Sequence, residues 1–175
     1  MADLNEKLNK VRANESFPER IKRFIPGYSG YVDRDNSREI DTILRNEIAF
    51  RLEGNKRIIA DAVLTLSESK RYNEIAHLKR IDKKNETAIA KFRSAARGYT
   101  GAFDVSKVKE EKLKMLYEFD LSLAETAENI CNNFNELENL VGTGESINEK
   151  LKEILKALDF LIDKFTEREK YLHLI

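Results

Sequence analysis

The sequence predicts an all-α protein: an antiparallel up-down four-helix bundle preceded by short N-terminal helices. Three observations predict it. Apolar residues recur at helical spacing through four long segments. Breakers are few, 2 Pro and 7 Gly in 175 residues, and every Gly except Gly54 falls between those segments. No stretch alternates with the period of two that a half-buried strand needs.

Taken in order, residues 3–14 read as a short helix carrying Leu4, Leu8 and Val11 on one side. Ser16 and Glu19 then have capping-box spacing, and Pro18 is tolerated in a first helical turn. Ile21, Phe24 and Ile25 oppose Arg20, Lys22 and Arg23, so this second short helix is basic and amphipathic. It is too short to hold a membrane surface alone and is expected to pack across the bundle as a lid, ended by Pro26-Gly27. Residues 1–25 are thus an N-terminal extension and 26–175 a single domain.

After a loop over 26–36, the first long helix starts near Asn36 or Ser37 and buries Ile40, Ile43, Leu44, Ile48, Leu52, Ile59, Ala62, Val63 and Leu66. Gly54-Asn55 is a weak point costing about 1 kcal/mol against alanine, with the period resuming in phase beyond it. A break near Ser67-Glu68-Ser69 leads to the second long helix, 70–97. Its inward residues include Tyr72, Ile75, Leu78, Ile81, Ile89 and Phe92, and its polar stretch from Asp82 to Thr87 is expected to fray or lie exposed. The third runs from about Ser106 to Leu140, with Leu116, Leu123, Ala127, Ile130, Phe134 and Leu137 inward. Gly142-Thr143-Gly144 closes it. Ser146 and Glu149 are expected to open the fourth as another capping box, and Leu151, Ile154, Leu158, Leu161, Phe165 and Leu172 form its stripe. Short connections make consecutive helices antiparallel neighbours. The stripes are broader than a coiled-coil seam, which favours an intramolecular bundle over a two-stranded coiled coil.

Net charge is zero, against a protein dominated by phosphate contacts, but the halves differ. Residues 1–98 carry 21 Lys and Arg against 15 Asp and Glu; residues 99–175 carry 10 against 16. The two halves are expected to attract each other when packed. The single cysteine, Cys131, excludes an intramolecular disulfide and lies in an apolar stripe, as a structural thiol does. No apolar run reaches the ~20 residues of a membrane span. The start Met-Ala-Asp-Leu-Asn-Glu lacks the pattern of a signal peptide, so a cytoplasmic protein is expected.

One motif stands out from generic helix. Gly27-Tyr28-Ser29-Gly30-Tyr31-Val32-Asp33 recurs 71 residues later as Gly98-Tyr99-Thr100-Gly101-Ala102-Phe103-Asp104, each copy ahead of a long helix. An out-and-back helix pair between them brings both loops to one end of the bundle. As structure, the glycines supply positive φ, Asp104 caps a helix start, and the aromatic rings plug the open end. As function, Tyr28, Tyr31, Arg34, Arg38, Arg97, Tyr99, Phe103 and Asp104 form a docking surface of the residue types that dominate binding hot spots.

Ile25-Pro26-Gly27-Tyr28-Ser29-Gly30-Tyr31 with Arg38-Glu39-Ile40-Asp41 and Leu44-Arg45, together with the second loop and Leu116-Tyr117-Glu118-Phe119-Asp120, resembles a family of uncharacterised prokaryotic helical-bundle proteins. The resemblance spans most of 20–170. It implies a helical fold and no established activity.

Other constellations are weak. Glu74 and His77 have the spacing of a di-iron half-site, but no second such pair exists, so neither metal nor other cofactor is expected. Asp41, Glu47, Glu118, Asp120, Asp159 and Asp163 lie close to apolar stripes, where Arg45, Arg51 and Lys164 can pair with them. Glu118 or Asp120, if buried, must pair with an arginine. The second long helix is basic (Lys70, Arg71, Lys79, Arg80, Lys83, Lys84, Lys91, Arg93, Arg97), diluted by Glu74, Asp82 and Glu86. The leading expectation is a non-enzymatic interaction or scaffold protein docking an unknown protein partner through the paired loops, with a homo-oligomer also open. One alternative is a small-ligand binder or enzyme using that loop end with Asp33, Asp104, Glu118 or Asp120. Another is nucleic-acid or anionic-surface binding through the basic helix.

Overall fold

Long amphipathic stripes with few breakers leave one way to bury apolar area, helix against helix. The computed structural model describes residues 16–32, 34–94 and 108–174, and its elements are five helices packed against one another. They are α1 (Phe17–Lys22), α2 (Arg34–Glu68), α3 (Tyr72–Ser94), α4 (Glu110–Thr143) and α5 (Asn148–Leu172). The short helix expected over 3–14 and the second Gly-Tyr loop lie outside the described residues. Among the described residues, no helix is long and apolar enough to cross a membrane.

Cross-helix bonds give the directions. Asn85 Nδ2 donates to Leu52 O at 3.0 Å and Arg45 Nη1 to Phe92 O at 3.4 Å, so α3 runs back along α2. Lys150 Nζ donates to Asn133 at 3.2 Å and Tyr171 Oη to Lys112 O at 3.1 Å, so α5 runs back along α4. The two hairpins lie side by side in the same sense. Arg51 pairs with Glu128 and Arg57 with Glu138, which sets α4 parallel to α2. Lys84 pairs with Asp159 and Lys91 donates to Thr166, which sets α5 parallel to α3. Consecutive helices are therefore the extensive packing partners within each hairpin, whereas α4 packs along α2 instead of along α3. Arg20–Glu125, Arg51–Glu128, Arg57–Glu138 and Lys84–Asp159 all join the basic half to the acidic half. Such exposed pairs contribute tenths of a kcal/mol each, so they align the hairpins while the core holds them.

That core is continuous along the helices, with Leu44, Ile48, Leu52, Phe92, Leu123, Phe134, Leu158 and Phe165 all inaccessible. The Phe92 and Phe165 rings meet at 4.2 Å between centroids. α1 packs on α4, with Ile21 and, just beyond the helix, Ile25 completely buried. Ser16 N–H and Oγ–H both donate to Glu19 Oε2 at 2.9 Å.

Several boundaries move for local reasons. α2 begins at Arg34 and passes through Gly54-Asn55 unbroken. Helix α3 is also continuous across 82–87, because its polar residues find partners: Asn85 is fully buried on Leu52 O, Lys84 reaches Asp159 and Glu86 reaches Lys56. The capping box expected at Ser146 and Glu149 does not form. Glu149 pairs with Lys152, and the Ile147 N–H donates instead to Glu74 Oε1 of α3 at 3.2 Å. α4 ends as expected on its glycines: Gly144 takes φ +77°, Glu145 N–H donates to Leu140 O and Gly144 N–H to Val141 O. Lys70 ends α2 in the same way, with φ +59° and Arg71 N–H on Leu66 O.

Two changes test this packing by urea denaturation. Phe92→Ala removes one ring of the central stack and is expected to cost about 3–5 kcal/mol. Lys70→Gly relieves a left-handed non-glycine residue and is expected to raise stability by about 1 kcal/mol.

Candidate functional site

Polar side chains in the core are rarer and more informative than apolar ones at the surface. Asp41, Arg45, Asp120 and Arg168 are all buried, and Arg168 is the largest fully buried side chain in the chain's described part. They converge from three helices. Arg168 of α5 donates from Nε to Asp120 Oδ1 of α4 at 2.6 Å and from Nη1 to Asp41 Oδ1 of α2 at 2.7 Å. Its Nη2 donates to Tyr31 Oη at 3.0 Å. Arg45 Nε donates to the other oxygen of Asp41 at 2.7 Å. Two guanidinium groups face two carboxylates, so the cluster is formally neutral.

The loop between α1 and α2 closes it. Tyr28 and Tyr31 hydroxyls both donate to Asp120 Oδ2 at 2.5 Å. Tyr31 N–H donates to Tyr117 Oη at 2.9 Å, and the Tyr31 ring lies 5.4 Å from that of Tyr117 and edge-on to Tyr28. The backbone reaches this depth because Gly27 and Gly30 take φ +83° and +89°. At Gly30 space matters as much as φ: a Cβ would lie 2.8 Å from Pro18 Cγ and 2.9 Å from Tyr117 Oη. Val32 N–H then donates to Asn36 Oδ1 at 2.8 Å as the chain enters α2. A second tie runs beside the first, where Arg51 of α2 bonds Glu47 (2.9 Å), Glu128 and the Phe24 carbonyl.

The electrostatics follow from burial and pairing. Burial pushes the Asp41 carboxyl up, but Arg168 and Arg45 beside it outweigh that and hold it below the usual carboxylate range. Burial and the adjacent Asp120 carboxylate drive both the Tyr28 and Tyr31 hydroxyls well above the ordinary tyrosine value. Asp41 thus stays ionised and the phenols stay protonated near neutrality. A general acid needs a carboxyl raised toward neutrality, and Asp41 is shifted the opposite way.

The residues proposed from sequence are placed as follows. Tyr28 and Tyr31, expected on a docking surface, are pins beneath the loop, 1% and 5% exposed, because their hydroxyls satisfy Asp120. Arg38 is exposed, and Arg34 opens α2. Asp33, Arg97, Tyr99, Phe103 and Asp104 lie outside the described residues. Asp120 has the arginine that its burial requires, and Glu118 is exposed. Asp41–Arg45 and Glu47–Arg51 are the i, i+4 pairs the spacing allows. Arg168 was not anticipated. Its signal is register: the α5 stripe Leu158, Leu161, Phe165 and Leu172 leaves one inward position due at 168. Asp120 fills the corresponding place between Leu116 and Leu123.

The remaining constellations are occupied otherwise. Glu74 pairs with Arg71 and caps Ile147, while His77 is exposed. On the basic helix, Arg71, Lys84, Lys91 and Arg93 are engaged with Glu74, Asp159, Thr166 and Glu53. Burial pushes the half-buried Cys131 thiol up, so it is a poor nucleophile. No family model, curated protein or solved structure matches the chain. Function is therefore inferred from the site's own chemistry.

Arg168→Met leaves two buried carboxylates without their shared cation and is expected to cost about 3–5 kcal/mol in denaturant melts. The pH limbs should also separate. An unfolded Asp41 takes up a proton near pH ~4 while the folded one remains charged. Its contribution is complete above that value and is lost as pH falls through the depressed folded value. Asp41→Asn should flatten the acid limb of stability against pH. For the raised tyrosines the contribution is complete below about pH 10 and lost as pH climbs beyond it. Tyr28→Phe with Tyr31→Phe should flatten the alkaline limb.

Proposed function

We propose that the chain is a non-enzymatic interaction protein. In this reading its four long helices form an up-down bundle that presents the α1–α2 loop and the start of α2 to a protein partner. The observation that carries it is the saturation of the polar cluster. The residues with enough chemistry to act on a substrate, Asp41, Arg45, Asp120, Arg168, Tyr28 and Tyr31, are each at most 5% exposed and bonded to one another. Preorganised groups that serve catalysis point at the place a reacting atom will occupy. Here they point at a loop.

What the cluster does support is a rigid loop with an outward face. Val32 is 71% exposed although the next residue inward, Tyr31, is pinned to Asp120. Ser29 and Arg38 are exposed near it in sequence. Ordering such a loop in advance lowers the entropic cost of binding. The second Gly-Tyr copy, Gly98 to Asp104, with Arg97 ahead of it, follows the C-terminal end of α3, which lies beside Arg45 in the N-terminal third of α2 (Arg45 on Phe92 O). This supports the two loops sharing one end, with Val32 and Arg38 as contacts and Tyr28 and Tyr31 as their supports.

The test is a pull-down from the native host with tagged wild type and with the surface variant Val32→Glu, Arg38→Glu, read by mass spectrometry beside a thermal melt. A stoichiometric partner that is lost with the variant, at unchanged melting temperature, is the expected outcome. A partner retained by the variant places the docking surface elsewhere.

A further inference from the structure

A glycine in the interior of a long helix costs about 1 kcal/mol relative to alanine, so it calls for a reason. Gly54 sits in the middle of α2 with ordinary helical φ, and a Cβ added there would meet nothing within 4 Å. Nothing packed against it among the described residues asks for a glycine. The same stripe of α2 carries Phe50, 66% exposed, and Leu64, 62% exposed. Residues 50, 54, 57, 61 and 64 follow one another at alternating steps of four and three. They therefore line a single helix face, opposite the face that buries Ile48, Leu52, Ile59 and Leu66. Between the two apolar residues lie Arg57 and Asp61, exposed and paired with each other at 3.1 Å, with Arg57 also reaching Glu138 of α4 at 3.5 Å.

We infer that this outer face of α2 is a self-association surface on which a second copy of the chain packs antiparallel, about a two-fold axis level with Ile59. Positions 54, 57, 61 and 64 are self-complementary under that operation, and Phe50 falls opposite Glu68 at the C-terminal end of the other copy's α2. Leu64 of one copy falls over Gly54 of the other, where the missing side chain leaves room for it and lets the helix axes approach. Arg57 of each copy falls opposite Asp61 of the other, so each intrachain Arg57–Asp61 pair is exchanged for an interchain one, and the longer Arg57–Glu138 contact is given up. Exposed i, i+4 pairs contribute little and leave their members free to re-pair. From Phe50 to Leu64 the face spans about 21 Å. A contact of this kind is isologous and closed, and yields a dimer rather than a filament. The face is separate from Val32 and Arg38, and the two sets of variants fail independently.

Sedimentation equilibrium of the full chain over a range of concentrations tests the proposal. The expected result is a reversible dimer. Phe50→Glu with Leu64→Glu should weaken it by more than about tenfold without lowering the melting temperature measured at dilutions where the wild type is monomeric, because both side chains are exposed in the single chain. Gly54→Gln should raise the stability of the helix yet weaken the dimer, opposite signs that a purely intrachain role would not produce. Arg57→Asp and Asp61→Arg should each weaken association, the first by setting carboxylates against carboxylates across the axis and the second by setting guanidinium groups against each other. An equimolar mixture of those two proteins should restore it as a heterodimer. A wild-type chain that stays monomeric at every concentration overturns the proposal. So does a dimer whose affinity is unchanged by Phe50→Glu with Leu64→Glu.

Discussion

Arg168 is a guanidinium with no access to water, held between carboxylates from two other helices, and its placement constrains everything around it. A buried cation must have its charge matched and its donors occupied, or the folded state is lost. Asp120 and Asp41 match the charge, and Tyr31 takes a further donor. Once those bonds are made, α5 cannot slide by a turn against α2 or α4 without breaking them, whereas a wholly apolar core tolerates such slips more readily. The polar cluster therefore sets the register of α5 against α2 and α4, while the apolar stripes supply most of the stabilisation.

The same cluster draws the α1–α2 loop inward. Asp120 has one oxygen on Arg168 and one left to satisfy, and two tyrosine hydroxyls satisfy it. Each donor needs the backbone at an unusual depth, and Gly27 and Gly30 allow that path. Arg51 binds the end of α1 from the other side through the Phe24 carbonyl. The loop is consequently a fixed part of the bundle end, and its exposed residues are displayed on a rigid support.

Chemical potency and accessibility are distributed oppositely in this molecule. Ionisable groups in the interior are paired and shielded, whereas apolar side chains such as Val32, Phe50 and Leu64 stand in solvent. An enzyme concentrates its reactive groups where substrate can reach them. A protein that acts by contact needs apolar anchors outside and rigidity beneath them. That distribution favours the interaction reading, and it also separates two faces, one at the loop end and one along α2.

The all-helical class and the identity of the long helices were legible in the sequence, because periodic stripes such as Leu123, Ala127, Ile130, Phe134 and Leu137 admit no other regular structure. Also legible were the i, i+4 pairs Asp41–Arg45 and Glu47–Arg51 and the need of a buried Asp120 for an arginine, since each follows from local spacing or from the cost of an unpaired charge. Local rules did not extend to the start of α5. There a carboxylate from α3, Glu74, replaces the expected Glu149, because capping rewards any acceptor at the right place and not only one nearby in sequence. Nor could spacing alone choose which helix lies beside which, since α2 presents enough apolar surface for either α3 or α4 and packs with both. The sequence by itself determined the long helices, their apolar stripes and the local Asp41–Arg45 and Glu47–Arg51 pairs. Only the tertiary structure decided that Arg168 joins Asp41 to Asp120 and that Tyr28 and Tyr31 face inward, because those bonds link positions 48 to 137 residues apart and exist only when α2, α4, α5 and the loop are brought together.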